Sequence, residues 1–201
     1  MGVVSRALTI AMWLIAAADA AQAAPAEGLV PLAGTPLLVA FQKFCVDTRA
    51  DPQAVAAAAL AAGIEKVEPG AEAAEAMGIH VWRIPVGDRE LDLSSVSLDG
   101  SKPQSVVPAV RSISCTVVDH EDDGPSLEAA RKQIAMAPSS STADFSQYTF
   151  RWEGERQIPI TDGLDFNAAF RAGRLWSLDV GRSNGATSLG LTLTGAVSPT
   201  H

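Results

Sequence analysis

The sequence predicts an α+β domain built on an antiparallel sheet, with two or three helices covering one face. Three observations lead there. A capping residue followed by proline occurs twice, at Thr35-Pro36 and Asp51-Pro52, and such pairs start helices because the cap accepts a free amide while proline fits the first turn. From Ile79 onward apolar residues recur with period two, the spacing of strands rather than helices. Short turn pairs separate these alternating runs at hairpin intervals: Gly87-Asp88, Asp99-Gly100, Glu153-Gly154 and Asn184-Gly185.

Behind Pro36, residues Leu37, Leu38, Phe41, Phe44 and Cys45 fall on one helical stripe, which turns Cys45 toward the core. The alanine-rich run 53–62 stops at Gly63, with Ile64 placed to pack back. Residues 65–77 are small and acidic around Pro69-Gly70 and read as a loop or a short helical turn. The runs 79–86 and 90–98 form a hairpin, the second alternating Leu91, Leu93, Val96 and Leu98 only roughly. A third strand over 107–118 places Arg111, Ile113, Cys115 and Val117 on one side, and all but the arginine suit a core.

An acidic turn over 119–124 leads into a helix over 125–136, with Leu127, Ala130 and Ile134 inward and Pro138 beyond its end. After a polar loop, 139–144, the runs 148–152, 156–160, 164–170, 174–180 and 188–194 read as strands. The order is helix, Trp82 hairpin, Cys115 strand, then helix, Trp152 hairpin, Trp176 strand. That is the pattern of a degenerate α-β-β-β repeat with halves 35–118 and 119–201.

Residues 1–23 have the three parts of an export signal: a cationic start with Arg6, an apolar stretch over 7–18, and the small-residue site Ala21-Gln22-Ala23. The apolar stretch is about a dozen residues against the ~20 a spanning helix needs, so cleavage after Ala23 is expected, with no membrane span left behind. An extended lead-in over 24–34 then precedes a single domain over 35–201. The expected location is the periplasm or the cell exterior. A formal net charge of −8 without a Lys/Arg cluster repels phosphate backbones, so nucleic acid is excluded as a partner.

Cys45 and Cys115 are the two cysteines, and in an oxidising compartment they are expected to pair. A bridge closing a loop of about 70 residues contributes about 4 kcal/mol by restricting the unfolded chain. No C-x-x-C spacing lowers a thiol pKa here, which favours a structural bridge over a redox pair. The pattern Phe41-x-x-Phe44-Cys45-x-x-Thr48-x-x-Asp51-x-x-x-Val55, followed by Gly63, the Trp82 strand and Cys115, resembles small exported proteins of alphaproteobacteria to which no activity is attached. The resemblance implies export and the disulfide, and transfers no catalytic residue.

Four features have the residue types of functional sites. Gly181-Arg182-Ser183-Asn184-Gly185 matches the G-x-S-x-G serine elbow, but strand-period residues follow where the elbow needs a helix, so a hairpin turn is expected. Asp119, His120, Glu121 and Asp122 crowd oxygen and imidazole ligands into one turn and are the metal candidates, although their spacing matches no EF-hand or zinc pattern. The alternative is an acidic turn that favours the next helix N-terminus. His80, at a strand start, is a candidate base. Together with Trp82, Trp152 and Trp176 it makes up the ligand-binding candidates, the tryptophans as walls of a sugar or aromatic groove or as packing.

The sequence carries no phosphate loop, G-x-G-x-x-G or H-E-x-x-H. The expectation is an exported, non-catalytic cell-envelope protein without a cofactor, binding an envelope protein or a small molecule. The alternative is a periplasmic hydrolase or metal-dependent enzyme using His80, His120 and nearby carboxylates, a reading that the two imidazoles within about 5 Å of each other around a cleft would favour.

Overall fold

The computed structural model describes residues 31–67, 78–100, 109–122 and 124–197. The expected leader and its cleavage site, the lead-in up to residue 30, the Pro69-Gly70 stretch, residues 107–108 of the third strand and His201 lie outside the described residues. Among the described residues, nine strands and four α-helices make an α+β fold.

Helix α1 (Pro36–Phe41) is capped by the Thr35 hydroxyl and passes directly into a π-helical turn, Gln42–Val46. Its expected apolar stripe is buried, Leu37, Leu38, Phe41, Phe44 and Cys45 all being 3% exposed or less. The Asp51 carboxylate accepts from the amides of Gln53 and Ala54 to start α2 (Pro52–Ala61). Gly63, at φ +68°, ends it by letting the Ile64 amide reach back to the Ala59 carbonyl at 3.0 Å.

Strands β1 (Glu65–Val67), β2 (Ile79–Val86), β3 (Arg89–Asp99) and β4 (Val110–Asp119) follow, then α3 (Pro125–Gln133). Next come β5 (Ser140–Ser141), β6 (Phe145–Glu153), β7 (Arg156–Pro159), α4 (Gly163–Arg171), β8 (Leu175–Ser183) and β9 (Ala186–Ala196). All pairings are antiparallel in the order β1-β2-β3-β4-β9-β8-β6-β5, with β7 on the same side of β6 as β5. From β2 to β6 the order runs forward along the chain to the β4–β9 seam and backward after it, with β7 left off the path. Strand β6 therefore has β8 as its main partner, while β7, its expected hairpin mate, is a four-residue flap beside it.

Side-chain alternation and register sort the sheet into two faces. Trp82, Leu93, Val117, Leu189, Val180 and their row-mates point to one side, and with Phe41, Phe44, Val55 and Leu127 of the helical segments they form a single buried cluster. Cys45 and Cys115 lie inside it, bonded, with their Cα atoms 5.3 Å apart. On β4, β9, β8 and β6 the other side carries mostly Ser, Thr, Asp, Gln and Gly, whereas on β2 and β3 it includes Ile79, Val81, Val96 and Leu98. Val96 and Leu98 point there, away from Leu91 and Leu93, which explains the imperfect alternation of β3.

The largest departure from expectation is α4, which occupies the run 164–170 read as a strand. Both ends specify a helix: the Asp162 carboxylate accepts from the amides of Leu164 and Asp165 at 2.8 Å, and Gly173 (φ +64°) lets the Arg174 amide reach the Ala169 carbonyl at 2.8 Å. Leu164, which contributes to the apparent strand pattern, is 85% exposed. Smaller departures are β1 and β5, which lie in segments read as loops, and α3, which stops at Gln133 because Ile134 is already extended. Among the described residues no helix is long and apolar enough to cross a membrane.

Candidate functional site

Helix α4 packs against β8 and β9 from the polar side of the sheet, where Ile160, Ala169 and Leu175 make a small buried cluster with Phe170 against it. The contact is unusually close at the chain level. A Cβ on Gly195 would stand 2.4 Å from the Cα of Gly173, so a glycine is required where β9 passes the end of the helix.

Away from that contact, helix and sheet diverge and enclose a cleft of about 390 Å³. Its floor is Gln147 and Thr149 of β6, Leu175 and Ser177 of β8, and Thr194 of β9. Its wall is Phe166, Asn167 and Phe170 of α4, where Phe166 and Phe170 are one turn apart and so share a helical stripe. Phe166 is 41% exposed. The Asn167 amide donates to the Gly163 carbonyl at 2.7 Å and the Thr149 hydroxyl to the Ile160 carbonyl at 3.4 Å, which fixes both side chains.

The cleft opens onto the rest of the polar face through two rows that cross the sheet. One row is Thr149, Ser177, Thr192 and Ser114; the next is Gln147, Asp179, Gly190 and Thr116. Gly190 is buried between Thr116 and Asp179 in the second row, where a Cβ would come within 3.3 Å of the Thr116 hydroxyl oxygen. Burial pushes the Asp179 carboxyl above the usual aspartate range, partly opposed by hydrogen bonds from Gln147 and Ser177. No family model, no curated protein and no solved structure matches the chain. What the cleft can do follows from its own chemistry: neutral hydroxyl and amide groups, two aromatic rings, and one half-buried carboxylate at its end.

The residues singled out from the sequence lie elsewhere. Trp82 and Trp176 are buried on the core side, and Trp152 joins Trp176 and Phe150 in an aromatic cluster with ring centroids 5.8–6.5 Å apart. The Arg49 guanidinium sits 4.8 Å above the Trp152 ring and donates to the Gly154 carbonyl, which closes that cluster from outside. These rings pack; none of them lines the cleft. His80 faces the same side as Trp82, opposite Ser95, at a ring separation of 6.1 Å from Trp82.

The acidic turn is drawn apart by separate partners. Asp119 is buried beside the Arg89 guanidinium at 3.1 Å, while His120 is exposed and meets Asp92 at 2.9 Å. The Asp122 carboxylate accepts from the Gly124 amide at 2.7 Å and lies against the Ser126 amide, so it caps α3. Glu121 is exposed, its amide turned to Asp119. Among the described residues no three His, Cys, Asp or Glu side chains converge as a metal site. Asp92, the partner of His120, lies on the polar side opposite Arg83, whereas His80 is on the core side three residues away, so the two imidazoles do not share a cleft. Ser183 closes the β8–β9 hairpin as expected, with Asn184 and Gly185 at φ +53° and +79° in a two-residue turn.

A second concavity of about 470 Å³ lies between the helical segments and β2, lined by Val39, Phe44, Ile64, Ile84 and Val86 with Lys43 as a charged group. It offers few converging polar groups to orient a ligand, which makes the α4 cleft the stronger site. The cleft was legible in part, because Asp162 and Gly173 carry the signals of the helix that forms its wall.

Proposed function

We propose that the mature protein is an exported binding protein of the cell envelope that holds a small, uncharged polar ligand between α4 and the polar face of the sheet. The observation that carries this reading is the composition of the cleft: five hydrogen-bonding side chains and two phenylalanines around about 390 Å³, a volume within the usual range for small-molecule sites. The side chains are held by their own hydrogen bonds and by strand register, so ordering them costs little when a ligand arrives. The signal-like N-terminus and the Cys45–Cys115 bridge support an oxidising destination, the periplasm or beyond.

A second reading draws support from Asp179. A half-buried carboxylate with a raised pKa beside a cleft is the kind of group that serves as a general acid, which keeps a hydrolase as the alternative. The two readings separate on one variant. Asp179→Asn leaves ligand retention largely intact in a binding protein and abolishes turnover in a hydrolase.

The test of the binding reading is native mass spectrometry on protein released from its own cell envelope, beside a Ser177→Phe variant that fills the cleft floor. The expected result is a small-molecule adduct on the wild type that is missing from the variant. A bare wild-type subunit, or an adduct that survives Ser177→Phe, counts against it.

A further inference from the structure

Resting on the reading of the α4 cleft as a ligand site, we propose that its ligand is a neutral saccharide, one ring lying against Phe166 with its hydroxyls met by Thr149, Ser177, Asn167 and Gln147. Charge comes first. Lys and Arg are absent from the lining, and Asp179 stands at its end, so a phosphate or carboxylate ligand would meet repulsion without compensation. Asp179 is in turn occupied by Gln147 at 2.9 Å and by Ser177, which leaves it less call for a cation.

Hydrogen-bonding character comes next. Hydroxyl and carboxamide side chains each both donate and accept, and so do the hydroxyls of a sugar, so one polyol can satisfy several of them together. A ring with polar edges and an apolar CH face also matches the exposed ring of Phe166, which stands on the helix wall with Asn167 beside it.

The direction in which the cleft opens extends the inference to a chain of sugars. Thr149, Ser177, Thr192 and Ser114 place one hydroxyl on each of four adjacent strands, with strands about 4.8 Å apart. A linear oligosaccharide crossing the strands would meet a hydroxyl at every strand. A single sugar would meet the α4 end alone.

The experiment is an amide NMR titration of the full mature chain with two probe sets. The first set is glucose, N-acetylglucosamine and their β-linked tetrasaccharides; the second is a dipeptide mixture, hexylamine and laurate. The expected result is saturable shifts at Thr149, Asn167 and Ser177 with the sugars, tetrasaccharides binding at least tenfold more tightly than monosaccharides and also shifting Thr192 and Ser114. Phe166→Ala, at a partly exposed position where the fold is retained by thermal melting, should weaken sugar binding at least tenfold, whereas Leu60→Ala on the far side should not. Sugar shifts unaffected by Phe166→Ala overturn the stacking geometry. Shifts of the cleft amides by the second set alone overturn the saccharide and leave the cleft as a site. Cleft amides silent to both sets overturn both.

Discussion

Gln147 Nε2 donates to Asp179 Oδ1 at 2.9 Å across the β6–β8 pair, beside the hydroxyls of Thr149 and Ser177 on the same face. The bond only partly offsets the cost of burying that carboxylate, because desolvation is the largest influence on it and acts upward.

A raised pKa in the fold means that the native state holds the Asp179 proton more tightly than the unfolded chain does. Its contribution to stability is therefore most favourable below the ordinary aspartate value of 3.8 and declines as pH rises through the native value. Asp179→Asn, which keeps an acceptor for Gln147, should raise the melting temperature near neutral pH and lose that advantage as pH falls to about 3. Melting curves of both proteins across that range check the sign; a variant less stable at neutral pH would show that the carboxylate is net stabilising.

Removing the bridge by Cys45→Ala with Cys115→Ala should cost about 2–5 kcal/mol, a fall in melting temperature on the order of 10 °C for a chain of this size. Both sulfurs are fully buried in the main core. Reduction should consequently be slow under native conditions and fast once the protein is partly unfolded, which thiol labelling against denaturant concentration would follow.

Gly195→Ala forces a methyl carbon into the backbone of Gly173. Since neither segment can yield without moving α4, a loss of about 1–3 kcal/mol is expected, together with weaker binding of any cleft ligand. Chemical denaturation and ligand titration on one preparation read both effects, and normal binding in a destabilised variant would separate the cleft from the helix contact.

The serine in the G-x-S-x-G match is a turn residue. Ser183→Ala should change stability by no more than about 0.5 kcal/mol, as expected for an exposed surface position, and leave any esterase activity untouched. Gly185→Val, which puts a branched side chain at φ +79°, should cost about 1–3 kcal/mol. Loss of an ester-cleaving activity in Ser183→Ala would revive the nucleophile.

Where the sequence reading succeeded, local chemistry and tertiary need pointed the same way. Asp51-Pro52 with Gly63 gave α2 almost to the residue, Gly87-Asp88 gave the β2–β3 hairpin, and Cys45 and Cys115 lie inward and paired. It failed at 164–170, where Leu164 and Phe166 imitate alternation although Asp162 and Gly173 are as good a pair of helix signals as Asp51 and Gly63. That single misreading hid the site, because the cleft exists only where α4 overhangs the sheet. The tryptophans drew attention for their size, yet they serve the core. The residues that line the cleft are Ser, Thr, Asn and Gln, types so common in strands and loops that neither spacing nor composition marks them before register is known.

Strand β9 comes last among the described strands, yet it lies between β4 and β8 in the middle of the sheet. As the chain emerges from its N-terminus, the first half can build its hairpin, its helices and its disulfide while one edge of β4 still has unpaired amides and carbonyls. Strands β6 and β8 can meet in the same interval, leaving two half-sheets with facing open edges. Closure waits for residues 186–196 to slide between them, a long-range step that is slow by its contact order. The period before that insertion is when the nascent protein is most exposed to aggregation and proteolysis, and a chaperone that masks strand edges would act on it there.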